Sequence, residues 1–98
     1  MINNLQEIFE KHNSEYIEFK NLNKKYRKSD SSDICAFILL DALAPSGEDI
    51  ISASEHDIIF LSTKIEDLKK NATEEDIIAL MQCGIQYDST YDCLTMFK

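Results

Sequence analysis

Glycine and proline are nearly absent from this chain, with two of the first and one of the second among 98 residues. That scarcity excludes glycine-rich phosphate cradles and flexible linkers, and it leaves few tight turns of the usual kind. Long hydrophobic runs are missing as well. The longest apolar stretch, Ile34 to Leu40, stops at Asp41, far short of the roughly 18 residues a membrane-spanning helix needs. No membrane partner is expected. The opening MINNLQEIFEKHN has neither the basic start nor the apolar centre of a signal peptide, so the expected location is the host cell cytoplasm. Cysteine is confined to Cys35, Cys83 and Cys93, an odd and widely spaced set that makes a poor disulfide framework. Asn71-Ala72-Thr73 matches a glycosylation acceptor, which carries no weight without secretion.

Positive charge is the remaining deficit. Ten Lys and Arg stand against 18 Asp and Glu, for a net charge of -8. The deficit is uneven: residues 1–33 hold six acids and six bases, whereas residues 34–98 hold the other 12 acids and only four bases. Between Asn71 and Phe97 there are five acids (Glu74, Glu75, Asp76, Asp88 and Asp92) and no Lys or Arg.

What is present predicts a folded chain. Apolar residues make up 44% of it, with five Phe and four Tyr, too many for a disordered tail. At this length one compact α+β domain over 1–98 is expected, burying roughly 65% of its unfolded surface. Ile2, Leu5, Ile8 and Phe9 recur at helical spacing and predict a helix over 2–12; Tyr16, Phe19, Leu22 and Tyr26 predict another over 15–28, capped by Asn13 or Ser14. Ser29 to Ser32 read as a break and a new cap. DICAFILLDALA is apolar on nearly every face, the mark of the most buried helix, and Pro45-Ser46-Gly47 ends it. Asp49–Ser54 and Ile58–Ser62 predict a hairpin around Glu55-His56-Asp57. Thr63 to Glu66 and Thr73 to Asp76 each read as a capping box opening a short helix, the second with Ile77, Leu80 and Met81 inward and Gly84 at its end. Ile85–Tyr87 and Cys93–Phe97 predict a second hairpin. The fold class is therefore α+β, with N-terminal helices packed on an antiparallel sheet of two hairpins and two short helices between the hairpins.

Chemistry-bearing motifs are few. A cysteine nucleophile needs a nearby base; the chain offers His12 and His56, and His56 would approach Cys93 if the two hairpins are neighbours in one sheet. Zinc spacing is lacking, and Asp88 and Asp92 lack the alternating ligands and central glycine of a calcium loop. Metal, cofactor and catalytic sites are not expected. Lys20, Lys24, Lys25, Arg27 and Lys28 crowd the C-terminal turns of the predicted second helix, where the helix dipole favours them, and the net charge opposes direct nucleic-acid binding. The acids after Asn71 point the other way. A surface of one sign steers oppositely charged partners, and nucleic-acid-binding proteins carry basic grooves.

The closing segment CGIQYDSTYDCLTMF, with ASEHDIIFLS before it, resembles short uncharacterised phage and prophage proteins from Ala53 onward. Size and acidity resemble, in type, the anti-CRISPR proteins, which share no common motif and assign no residue. The resemblance implies a phage- or mobile-element-encoded inhibitor of anti-viral defence; the charge distribution adds the expectation of a nucleic-acid mimic that binds a basic nucleic-acid-binding protein or complex with Glu74, Glu75, Asp76, Asp88 and Asp92 at the contact. The alternatives are an assembly factor that forms a homodimer through the DICAFILLDALA helix, and a small cysteine-dependent enzyme.

Overall fold

A computed structural model describes residues 2–12, 17–47 and 49–97. In chain order it contains α1 (Leu5–His12), a 3₁₀ turn (Phe19–Asn21), α2 (Ser32–Leu43), strands β1 (Ile51–Glu55) and β2 (Ile58–Leu61), α3 (Ile65–Asn71), α4 (Glu74–Gln82), and strands β3 (Ile85–Asp88) and β4 (Cys93–Phe97). The class is α+β, as the sequence predicts. The four strands form one antiparallel sheet in the order β1-β2-β4-β3. Two hairpins are thus joined through their later strands, β2 against β4, with α3 and α4 as the connection.

Burial alternates along β2 and, with the exception of the buried Thr95, along β4. Ile59, Leu61, Leu94 and Met96 are buried while Ile58, Phe60, Cys93 and Phe97 are not. Successive strand side chains point to opposite faces, so one face of the sheet is the core face. Cross-strand register agrees: Ile59 opposes Met96, which opposes Ile85, and Tyr87 opposes Leu94. Helices cover this face, with the α1 ring of Phe9 lying 6.1 Å from Tyr87. The core between the layers is filled by Leu40, Leu68, Ile77, Leu80, Ile85 and Leu94, all essentially without solvent contact. Each such side chain contributes roughly 1.5–3 kcal/mol of burial energy. The chain start is tied into the same layer where the Ile2 N–H donates to Lys69 O (2.8 Å).

Several local expectations are corrected. The helix expected over 15–28 is not formed within its described part. Asn13, Ser14 and Glu15 lie outside the described residues, and from Phe19 the chain makes one 3₁₀ turn and then leaves helical geometry at Leu22 (φ -62°, ψ 132°). Asn23 explains the break, because its side-chain oxygen accepts from the Lys25 N–H (3.0 Å) and offers the backbone an alternative to the helix. Arg27 then folds back, its guanidinium donating to Phe19 O (2.8 Å) and lying 4.3 Å from the Phe19 ring centre. Helix-dipole placement therefore does not account for the basic cluster.

The expected Thr63–Glu66 capping box is also absent. The helix begins one residue later with Lys64 at the N-cap and no side-chain cap, because Ile65 and Thr63 are both buried and hold the entry fixed. Ser31 stands at the N-cap of α2, likewise without a side-chain cap. Nor is α2 buried all round: it sinks Cys35, Ala36 and Leu40 but leaves Ile34 and Ile38 46% and 43% exposed. On α4, Ile77 and Leu80 face inward as expected, but Met81 is only half-buried and Ala79 is the third buried side chain.

The second capping box is formed. Thr73 accepts from the Asp76 N–H (3.2 Å) and Asp76 accepts from the Thr73 N–H (2.9 Å). Gly84 takes φ +95° at the end of α4, where a side chain would be strained. His56 takes φ +56° in the two-residue turn between β1 and β2, doing there what glycine does in most such turns. No helix among the described residues is long and apolar enough to cross a membrane.

Candidate interaction surface

The five acids singled out from the sequence fall into two groups. Glu74, Glu75 and Asp76 form the first turn of α4, and the N-terminal part of the chain docks on all three. Glu74 accepts from His12 Nε2 (3.0 Å) and from Lys11 Nζ (3.3 Å), Glu75 pairs with Lys25 Nζ (2.9 Å), and the Tyr26 hydroxyl donates to Asp76 Oδ1 (2.6 Å). The His12 contact, with Lys11 beside it, holds the Glu74 carboxyl below its ordinary range. Burial pushes the Asp76 carboxyl up, but the bonds from Tyr26 and from both groups of Thr73, with the charge of Lys25, outweigh it and leave the pKa low. Burial and the same hydrogen bond raise the Tyr26 hydroxyl. Lys11 and Lys25 thus pair within the chain with Glu74 and Glu75, and the neutral Tyr26 hydroxyl holds Asp76. Exposed ion pairs of this kind contribute little stability each, about 0–1 kcal/mol. Their consequence here is to remove charge from that end of the molecule.

Asp88 and Asp92 lie on the sheet. Asp88 ends β3 and accepts from the Thr90 and Tyr91 N–H groups (2.8 and 3.2 Å), which folds the β3–β4 turn. Asp92, at φ +50°, accepts from the Tyr87 hydroxyl. That bond, together with burial, pushes the Tyr87 pKa up to about 12. No lysine or arginine approaches either carboxylate among the described residues.

The sheet face turned away from the helices is apolar in the middle and acidic at its margins. Three rows cross it. Glu55, Ile58 and Phe97 stand side by side at one end, Ala53, Phe60, Thr95 and Gln86 in the middle, and Cys93 and Asp88 at the far end. Tyr91 reaches back from the turn and sets its ring edge-on to Phe60 (5.9 Å, 88°). Tyr91 is 69% and Phe97 63% exposed. Glu55 and Asp88 stand on this face at its two ends, and Asp57 lies in the adjoining β1–β2 turn, whereas the Asp92 carboxylate is bonded to Tyr87, which stands on the helix side. All four strands fall within two stretches, 29–63 and 71–97, that contain no lysine or arginine. Of the acids in the first stretch, none of the described ones (Asp30, Asp33, Asp41, Asp49, Glu55 and Asp57) joins an ion pair among the described residues.

The sequence reading passed over Ile58, Phe60, Tyr91 and Phe97 as surface residues. The signal was available in IIFL and CLTMF, which do not alternate apolar with polar. A strand apolar on both sides needs a cover on both faces, and among the described residues only one face is covered by helices.

Cys93 and His56 are not brought together. Ile58 opposes Phe97, so the His56 turn flanks the end of β4, whereas Cys93 begins that strand about 13 Å away at the rise of a β-strand. Burial, and then the charges of Asp88 and Asp92, raise the Cys93 thiol and disfavour the thiolate. Cys35 and Cys83 are buried, with Cys35 Sγ 3.2 Å from Ser29 O and the Cys83 thiol pushed up to about 11 by burial. Among the described residues no three metal-ligating side chains cluster. No protein-family model, curated protein or solved structure matches this chain.

Proposed function

We propose that this protein acts by binding a basic protein partner through the open face of its sheet, as an inhibitor that occupies the nucleic-acid groove of a defence complex. The observation that carries the reading is the composition of that face: Ile58, Phe60, Phe97 and the turn residue Tyr91, with Glu55 and Asp88 on the same face and Asp57 in the adjoining turn, and strands without a single lysine or arginine. Protein interfaces have this anatomy, with aromatic anchors at the centre and a polar rim. An acidic rim around an apolar centre selects a basic groove and speeds encounter with it. The resemblance of the chain from Ala53 onward to short phage and prophage proteins, and the likeness in size and acidity to anti-CRISPR proteins, support the same reading. Glu74 and Glu75 are ion-paired within the chain, so the contact centres on acids that join no ion pair among the described residues, Glu55, Asp57 and Asp88, with Asp92 in the turn beside Asp88.

The test is affinity capture from bacterial lysate with wild type, a Glu55→Lys/Asp57→Lys variant and a Glu74→Lys control, with and without competing DNA. A nucleic-acid-binding complex held by wild type, displaced by DNA, and retained about tenfold more weakly by the double variant alone is the expected result. Equal retention by all three proteins would refute the reading.

A second reading rests on Ile34 and Ile38, exposed one turn apart on α2. There the chain self-associates through that helix. Light scattering over a range of concentrations, with an Ile34→Ser/Ile38→Ser variant, decides it, and a monomer at every concentration excludes it.

A further inference from the structure

We infer that the partner delivers an extended basic segment that adds to the sheet as a fifth strand along the outer edge of β1. This rests on the reading that the sheet side is the contact surface, and it names how the contact is made. The order β1-β2-β4-β3 leaves β1 at an edge, and all five of its residues are exposed. The helices that pack on the sheet do so mainly at β3, not at β1. In a hairpin with a two-residue turn the flanking pair, Glu55 and Ile58, exchanges both backbone hydrogen bonds, so Ser54 points its N–H and C=O outward.

Such an edge is a template for another strand unless something blunts it. Lysine and proline, the usual guards, are absent from β1, and a register irregularity at Ser52 affects only its first half. The side chains of Ser52, Ala53 and Ser54 are small and obstruct nothing. Acids stand at both ends instead: Asp49 on one side, Glu55 and Asp57 on the other. A second copy pairing antiparallel about Ala53 would set Asp49 against Asp57, and two molecules of net charge -8 would repel each other. A basic strand meets attraction at both ends.

The two faces beside β1 differ, and they set the pattern of the incoming strand. On the open face its side chains would lie next to Ala53 and Glu55, within reach of Asp57, which favours lysine or arginine. On the helix face they would lie beside Ile51, at the mouth of a groove of about 590 Å³ lined by Phe37, Ile51, Ile59 and Met96. Apolar side chains fit there. The partner segment therefore alternates basic and apolar residues.

The probe is a synthetic peptide of alternating Lys and Val, titrated into the full chain by NMR and compared with two versions N-methylated on one or the other alternate set of residues. Strand addition predicts slowed hydrogen exchange at the Ser54 amide. It also predicts that one methylated peptide binds about tenfold or more weakly than the parent while the other is little affected, because only one set of amides faces β1. A Ser54→Pro variant, its fold checked by circular dichroism, should lose the same affinity. Equal affinities for all three peptides, shifts at Phe60, Tyr91 and Phe97 without protection of Ser54, or no binding at all would each overturn strand addition. The open-face reading fails separately, on unchanged capture by the Glu55→Lys/Asp57→Lys protein.

Discussion

Replacing Tyr26 by Phe removes a single oxygen atom and measures how the irregular basic segment is held. That oxygen donates to Asp76 Oδ1 at 2.6 Å. A hydrogen bond to a charged acceptor contributes about 1.5–3 kcal/mol when water is excluded. Both residues are half-buried, so water competes in part and about 1–2 kcal/mol is the expected loss. The ring is retained and still packs on the core, so no cavity cost is added. For a domain of this size each kcal/mol lowers Tm by roughly 4–8 °C. Asp76→Ala removes the same bond and also the half of the capping box in which the Asp76 carboxylate accepts from the Thr73 N–H, leaving the Asp76 N–H to Thr73 bond in place, for a larger loss of about 2–3 kcal/mol. The decisive assay is the double-mutant cycle, read by urea unfolding followed by circular dichroism, since the chain has no tryptophan. The double variant should lose about 1–2 kcal/mol less than the sum of the single losses. Additivity within about 0.3 kcal/mol would refute the argument that this contact fastens the segment to α4.

Acid should loosen the same region. The Asp76 carboxyl titrates lower in the folded chain than in the unfolded one, so its contribution is complete above the unfolded value of about 3.9 and is lost as pH falls through the folded value; the urea midpoint of Asp76→Asn should fall less than that of wild type between about pH 5 and pH 3. At the alkaline end Tyr87, raised to about 12 by its bond to Asp92 and by burial, keeps its proton and its stabilising effect until pH rises from the unfolded value of about 10 toward 12. Ultraviolet titration of Asp92→Asn should show one tyrosine ionising earlier than in wild type. In the core, Leu80 is fully buried on α4, and Leu80→Ala should cost about 2–5 kcal/mol by denaturant unfolding, a large part of the 5–15 kcal/mol of a typical domain.

Local pattern determined much of the fold. Helical spacing in LQEIFEKH, the Thr73–Asp76 box, the run of DICAFILLDAL and the short isoleucine-rich segments each marked an element, because a period of 3.6 or 2 and a cap are properties of neighbouring residues. The failures occurred where distant contacts outweighed neighbours. Tyr16, Phe19, Leu22 and Tyr26 share helical spacing, yet Asn23 breaks the turn, Arg27 folds back on Phe19, and Tyr26 is drawn to Asp76, fifty residues away. A charge count located the acids but not their partners. Only the tertiary structure decided that Glu74, Glu75 and Asp76 are met by His12, Lys11, Lys25 and Tyr26, while Asp88 shares with Phe60, Tyr91 and Phe97 a sheet face that carries no lysine or arginine among the described residues. The sequence by itself determined that the second part of the chain is acidic and where most of the helices and strands lie, the segment from Phe19 to Lys28 excepted. Which acids are neutralised within the molecule depends on strand order and helix docking, and those are set by burial of the whole core and not by any local run of residues.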